Sequence, residues 1–188
     1  MIALVDYFGF RLIAISLLPI GGETEGGRGT LIYGTGDAGK TIYALDEKFN
    51  RMMEKAAVRL NLLSHHCGSG LHPNEPHSSA FLHSAADVEG HHGKDGHYYL
   101  LDFSRTMPPC PPDPELASCH LYRLFRTEFV ARYPVPLCSD GFSGFLRADP
   151  NRRQYNAQLR LAFSSLVEVN CHEFARRLQW RIMEAREK

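Results

Sequence analysis

The sequence has an excess of neither charge sign. Its 21 basic and 21 acidic side chains leave a formal net charge of +0 with ten histidines neutral, which excludes a domain whose whole surface traps polyanions, since such domains carry a clear cationic surplus. A local basic patch stays open. It also lacks any C-x-x-C pair: Cys67, Cys110, Cys119, Cys138 and Cys171 are odd in number and widely spaced, which argues against a disulfide framework and for a reducing, cytosolic compartment. No long uncharged run is present either. Asp6 and Arg11 interrupt the apolar stretch 1–20, which has neither the length of uncharged chain for a membrane span nor the basic start and small-residue cleavage site of a signal peptide. No internal repeat occurs. What remains is 188 residues, 44% hydrophobic and 11% aromatic, enough for one core that buries roughly 70% of the unfolded surface.

Two β-branched runs, 2–6 and 10–18, flank Tyr7-Phe8-Gly9 and predict a hairpin turning at Gly9. A chain that opens in mid-strand is expected to be a piece whose upstream partner is missing. The Gly-rich stretch 21–29 reads as a connector, and 31–33 as a short strand. From 46 to 62 the apolar residues Phe49, Met52, Met53, Ala56 and Leu60 recur at helical spacing behind Asp46, a natural N-cap. Eight of the ten histidines fall between 65 and 97, a Gly-, Pro- and Ser-rich segment expected to be a long polar loop. A strand follows at 97–103, then an extended proline loop at 108–114. Residues 119–133 are amphipathic and predict a helix that Pro134 and Pro136 stop. The tail from 155 to about 186 predicts one long helix, apolar at Leu159, Ala162, Phe163, Leu166, Val169, Phe174, Leu178 and Ile182, with a strongly basic face.

Residues 34–41 (GTGDAGKT) match the phosphate-loop pattern G-x-x-x-x-G-K-[ST]. That pattern works where a strand feeds a loop of free amides into a helix. Here Thr41-Ile-Tyr-Ala-Leu45 is strand-like and the helix starts late, so a tight glycine turn between two strands is preferred. Cys67, His72, His77 and His83 could hold a metal, but their spacing is irregular where structural zinc sites repeat close ligand pairs, and no metal is expected. Asp102, leaving an apolar strand in Asp-Phe-Ser, is similar to the magnesium-gripping Asp of kinases. Pairing with Arg105, or capping the loop that follows, is the preferred reading.

The order of these motifs resembles the Clu domain of the clustered-mitochondria (clueless) family. The resemblance is carried by the hairpin run Val5-Asp6-Tyr7-Phe8-Gly9-Phe10-Arg11 with 14–19 after it, and by the turn with Gly34, Asp37, Gly39 and Lys40. It continues through Leu60-Asn61-Leu62 with His65, and through Asp95-Gly96-His97-Tyr98-Tyr99-Leu100-Leu101-Asp102-Phe103-Ser104-Arg105 before Pro108-Pro109 to Leu124–Val130. Collinear matches run over about 2–133. The resemblance implies a cytosolic, non-enzymatic protein needed for normal mitochondrial distribution, without cofactor. It also implies binding of messenger RNA and association with ribosomes or the translation initiation factor 3 complex. Members of that family are far longer, with further domains on both sides.

The sequence therefore predicts an α+β domain: a small sheet, built from a hairpin and additional strands, packed with three or four helices. Residues 1–146 are expected to form a partial Clu-like domain containing a His/Gly/Pro-rich loop at 64–96, and 147–188 a basic C-terminal helix. The RNA- or partner-binding candidates are Arg152, Arg153, Arg160, Arg176, Arg177, Arg181 and Arg186, with protein partners expected and no membrane insertion. A second reading is a kinase-like phosphotransferase relic, or a nucleotide-binding module, using Asp87, Asp102 and the 34–41 loop, with His83-Ser-Ala-Ala-Asp87 in place of the catalytic loop.

Overall fold

The computed structural model describes residues 2–21, 29–70 and 74–186. The Gly-rich stretch 22–28 and His72 lie outside them.

Strands β1 (Ile2–Tyr7) and β2 (Phe10–Ile15) form the expected antiparallel hairpin, with Phe8 and Gly9 both at positive φ in the turn. Both faces of this hairpin are exposed. β3 (Leu31–Gly34), β4 (Tyr43–Ala44), β7 (Glu89–His92) and β8 (Tyr98–Leu101) form one antiparallel sheet in the order β4-β3-β7-β8. Between β4 and β7 the chain runs through helix α1 (Glu47–Leu60) and a second hairpin, β5 (His65–Gly68) with β6 (Ser79–Leu82). The fold is α+β, as the residue pattern predicts.

Helix α1 begins where Asp46 accepts the Phe49 N–H at 2.7 Å, and ends at Asn61 in left-handed backbone. It buries Phe49, Met53 and Ala57. Met52, expected on the core face, is exposed instead, because the buried row runs at four-residue steps from Phe49. Asn61 Nδ2 then donates to the Val130 and Tyr133 carbonyls at 2.8 and 2.7 Å, tying the helix end to the turn before Pro134.

The His-rich segment departs from the loop expectation. Its apolar residues alternate well enough to pair β5 with β6 in register His65↔Leu82 to Gly68↔Ser79, and β7 follows. The predicted helix over 119–133 is also overturned. Only a 3-10 turn at Cys119–Leu121 and the short α2 (Thr127–Val130) are helical. The Cys110 N–H bonds the Arg123 carbonyl and the Phe125 N–H bonds the Pro108 carbonyl, holding 123–125 extended against the proline segment. The tail is helical from Arg152 through α3 (Arg152–Ser165), a π turn at Leu166–Asn170, and α4 (Cys171–Arg186).

Two apolar cores result. One gathers Tyr33, Ile42, Phe49, Met53, Leu82 and Val88; the other gathers Ala57, Leu62, Phe125, Val130, Leu137, Leu159 and Ala162. A parallel bridge, Leu62↔Leu137, lays residues 61–63 beside 137, with Leu137 N–H donating to the Asn61 carbonyl and Leu63 N–H to the Leu137 carbonyl. Among the described residues no helix is long and apolar enough to cross a membrane.

Candidate functional site

The bridge at Leu62 and Leu137 carries two short runs, His65-His66-Cys67 on β5 and Cys138-Ser139-Asp140 in the following loop, into the seam between the cores. Strand alternation points His65 and Cys67 to the same side. The side chains of His65 and Asp140 are 0% exposed. His65 Nε2 lies 2.9 Å from Asp140 Oδ2, and the Cys67 thiol reaches the same oxygen at 3.3 Å. His65 Nδ1 donates to the Leu63 carbonyl at 2.9 Å, since a carbonyl can only accept. Asp140 Oδ2 also receives the Ala86 N–H at 2.9 Å, and Oδ1 the Arg105 guanidinium at 3.4 Å. Arg105 in turn pairs with Asp87.

Burial opposes charge on His65, yet the sulfurs of Cys67 and Cys138 and the hydrogen bond to Asp140 outweigh it and hold the imidazole pKa well above its ordinary value. Burial pushes the Cys67 thiol up to about 12. The seam is thus a dry ionic cluster centred on Asp140, where each charge depends on its neighbours for solvation.

Several sequence candidates go elsewhere. The preferred pairing of Asp102 with Arg105 is not made: Asp102 is exposed in left-handed backbone and caps nothing, because the chain turns there and sends Arg105 inward to Asp87 and Asp140. Of the four residues considered for a metal, Cys67 joins His65 and Asp140, His77 packs at a tilt against the Tyr43 ring, and His83 hydrogen-bonds Ser64. Asp95 and Gly96 shape the β7–β8 turn, with Asp95 accepting the Tyr99 hydroxyl at 2.7 Å and Gly96 at positive φ.

The phosphate-loop lookalike is the glycine turn preferred from sequence. It joins antiparallel strands, and its donors are used internally: Gly39 N–H bonds Thr35 Oγ1, while Thr41 N–H and Oγ1 bond the Asp37 carboxylate at 2.9 and 2.7 Å. Packing explains its glycines. Gly34 sits at φ +81 where a Cβ would fall 1.9 Å from the Val88 carbonyl oxygen, and Gly39 at φ +86 beneath the Phe145 ring. Lys40 is exposed.

The arginines at 152, 153, 160, 176, 177, 181 and 186 are all exposed along the C-terminal helices. Arg160 lies over the Phe142 ring at 5.2 Å, and Arg177 is 3.8 Å from Glu173. Leu159 and Ala162 of α3 are buried, but Phe174, Leu178 and Ile182 of α4 continue the apolar stripe into solvent. Beside α4, Phe129, Tyr133, Pro134, Leu166 and Phe174 line a groove of about 700 Å³.

Asp140 was missed at the sequence level. Its only local signal is the C-x-D run that mirrors H-x-C, a pair of spacings that gains meaning once the two segments lie side by side.

The family described as clustered mitochondria matches residues 1–111, more than half of the chain. The Caenorhabditis elegans clustered mitochondria protein homolog is 36% identical over 107 residues, 57% of this chain and 8% of that protein. The Danio rerio homolog is 36% identical over 105 residues, 56% of this chain and 7% of its own length, and the Drosophila willistoni protein clueless is 35% identical over the same shares. The matched region spans less than a tenth of the length of these relatives. No solved structure matches. With the hairpin, the glycine turn, His65 and the Asp95–Arg105 run all inside the matched region, the chain belongs to the clustered mitochondria family.

Proposed function

We propose that this chain serves the intracellular distribution of mitochondria as a non-catalytic, cytoplasmic binding module. The observation that carries the reading is the family match over residues 1–111, together with relatives named for clustered mitochondria. The internal use of the donors in the 34–41 turn supports a binding rather than a phosphate-transferring role. Loss of the chain from the cells that make it is expected to collapse their mitochondria into clusters; an unchanged mitochondrial distribution overturns the reading.

Within that role, the arginine face of 152–186 is the contact for messenger RNA or a ribosome-bound initiation complex. Seven arginines against three glutamates, all exposed, support it. Phosphate contacts release counterions, so apparent RNA affinity falls steeply with salt. Reversing Arg176, Arg177 and Arg181 to Glu should flatten that slope by about one unit per contact removed. A flat salt response in the unaltered chain, or no RNA retained at low salt, contradicts it.

A further inference from the structure

We propose that the seam between the two cores is a structural zinc site, with His65 Nε2, Cys67 Sγ and an Asp140 carboxylate oxygen as its protein ligands. The three ligand atoms of His65, Cys67 and Asp140 lie within 4.8 Å of one another and all three residues are buried. Nitrogen, thiolate and carboxylate in a closed, dry pocket are donors that suit tetrahedral zinc and not the oxygen-seeking cations.

The ligands arrive from two segments, His65 and Cys67 from β5 and Asp140 from the loop after Leu137, and the Leu62↔Leu137 bridge fixes them side by side. With the third ligand 73 residues beyond Cys67, the set has no repeated close pair and is hidden in the linear pattern.

The surroundings are those that orient metal ligands. His65 Nδ1 is committed to the Leu63 carbonyl, which fixes the ring and leaves Nε2 aimed at the cluster. Asp140 is held from behind by the Ala86 N–H and by Arg105. Both contacts are of the kind that position a coordinating imidazole and carboxylate. Zinc holds its N, O and S donors at about 2.0–2.3 Å, which places neighbouring donors roughly 3.4–3.6 Å apart. The observed separations of 2.9 Å from Nε2 to Oδ2 and 3.3 Å from Sγ to Oδ2 need to open by only a few tenths of an ångström.

The charges also balance. Zinc takes the place of the Nε2 proton and of the Cys67 thiol proton, which leave to solvent. The ion with one thiolate, one carboxylate and a neutral imidazole carries no net charge, and Arg105 keeps its pairs with Asp87 and Asp140.

The competing account of the same geometry is an imidazolium held by Asp140 with no metal, and the two make opposite predictions. The 188-residue chain, purified without added metal, dialysed against zinc and freed of excess, should retain one zinc per chain by elemental analysis. Cys67→Ser and Asp140→Asn should lose it, whereas Cys171→Ser, at an exposed thiol outside the seam, should keep it. Because the seam variants could fail to fold, the unaltered chain supplies a second readout. Cobalt(II) in place of zinc should give a tetrahedral visible spectrum with a thiolate-to-cobalt charge-transfer band, and chelation should lower the melting midpoint until zinc is restored. A chain that retains no zinc, melts identically with and without chelator, and gives cobalt no thiolate band overturns the proposal in favour of the imidazolium pair.

Discussion

The β1–β2 hairpin and the Asp140 seam invert the usual placement of side chains in opposite directions. In the hairpin, Ile2, Leu4, Phe10, Leu12, Ile13 and Ile15 all stand in solvent, Phe10 at 72% exposed. In the seam, His65, Arg105 and Asp140 sit among apolar residues, with Asp140 at 0%. Each makes physical sense only through what surrounds it. The seam supplies a partner for every charge, so burial there locks two cores together, while removal of one partner strands the others. Among the described residues the hairpin has its own ladder, the Asp6–Arg11 ion pair at 2.7 Å and the edge-to-face contact of Tyr7 with Phe8, and a lone two-stranded ribbon is marginal in water. Buried polarity marks where this chain is held shut; exposed apolarity marks where it has surface to give.

The sharpest way to break the comparison is Asp140→Ala. Removing the carboxylate from His65, and leaving Arg105 with Asp87 alone, should cost about 3–5 kcal/mol, read by denaturant unfolding; a loss below about 1 kcal/mol would show that the seam charges are not buried as described. Next comes Leu159→Ala, which opens a cavity where α3 meets the second core and should cost about 2–4 kcal/mol. A smaller effect, near 1 kcal/mol, is expected for Asp46→Ala, the cap of α1. The Phe49 N–H bond holds the Asp46 carboxyl below its ordinary range. That stabilisation is therefore present above the ordinary carboxylate value and lost as pH falls through the depressed one, so the gap between Asp46→Ala and the unaltered chain should close in acid. Smallest of all is Ile13→Ser in the hairpin, expected to change stability by less than about 0.5 kcal/mol because the side chain is already in water. A loss comparable to Leu159→Ala would place that strand against the body of the protein.

What the sequence made legible was local. The hairpin turn at Phe8-Gly9, the Asp46 cap, the strand before Asp102 and the glycine turn at 34–41 are each set by residues within a few positions of one another. Met52 and Ala56, expected on the core face, are exposed and Ala57 is buried, because two helical rows fit 46–62 about equally well and only the partner decides. The segment 119–133 has helical periodicity, but Pro108 and Cys110, more than ten residues upstream, hold its middle at 123–125 extended. The His-rich stretch looked like loop because His and Ser mask its alternation, and Cys67 and Leu82 go inside only when β5 meets β6. Asp140 had no more than the C-x-D run to mark it, because its partners are 75, 73, 54 and 35 residues away. Arg105 was correctly singled out but given the wrong carboxylate, since the backbone turn that faces Asp102 outward is not written in charge pattern.

Native-state hydrogen exchange compares the two regions in one experiment. The Ala86 amide, bonded to Asp140, and the Leu63 amide, bonded across the bridge to Leu137, should exchange only through opening of the whole domain and share its free energy of unfolding. The ladder amides of β1 and β2 should exchange through a far cheaper local opening, unaffected by Asp140→Ala. Hairpin amides as protected as Ala86 in the monomeric chain, or an Ala86 amide that exchanges as fast as they do, would contradict the claim that the chain is held together at its buried polar seam.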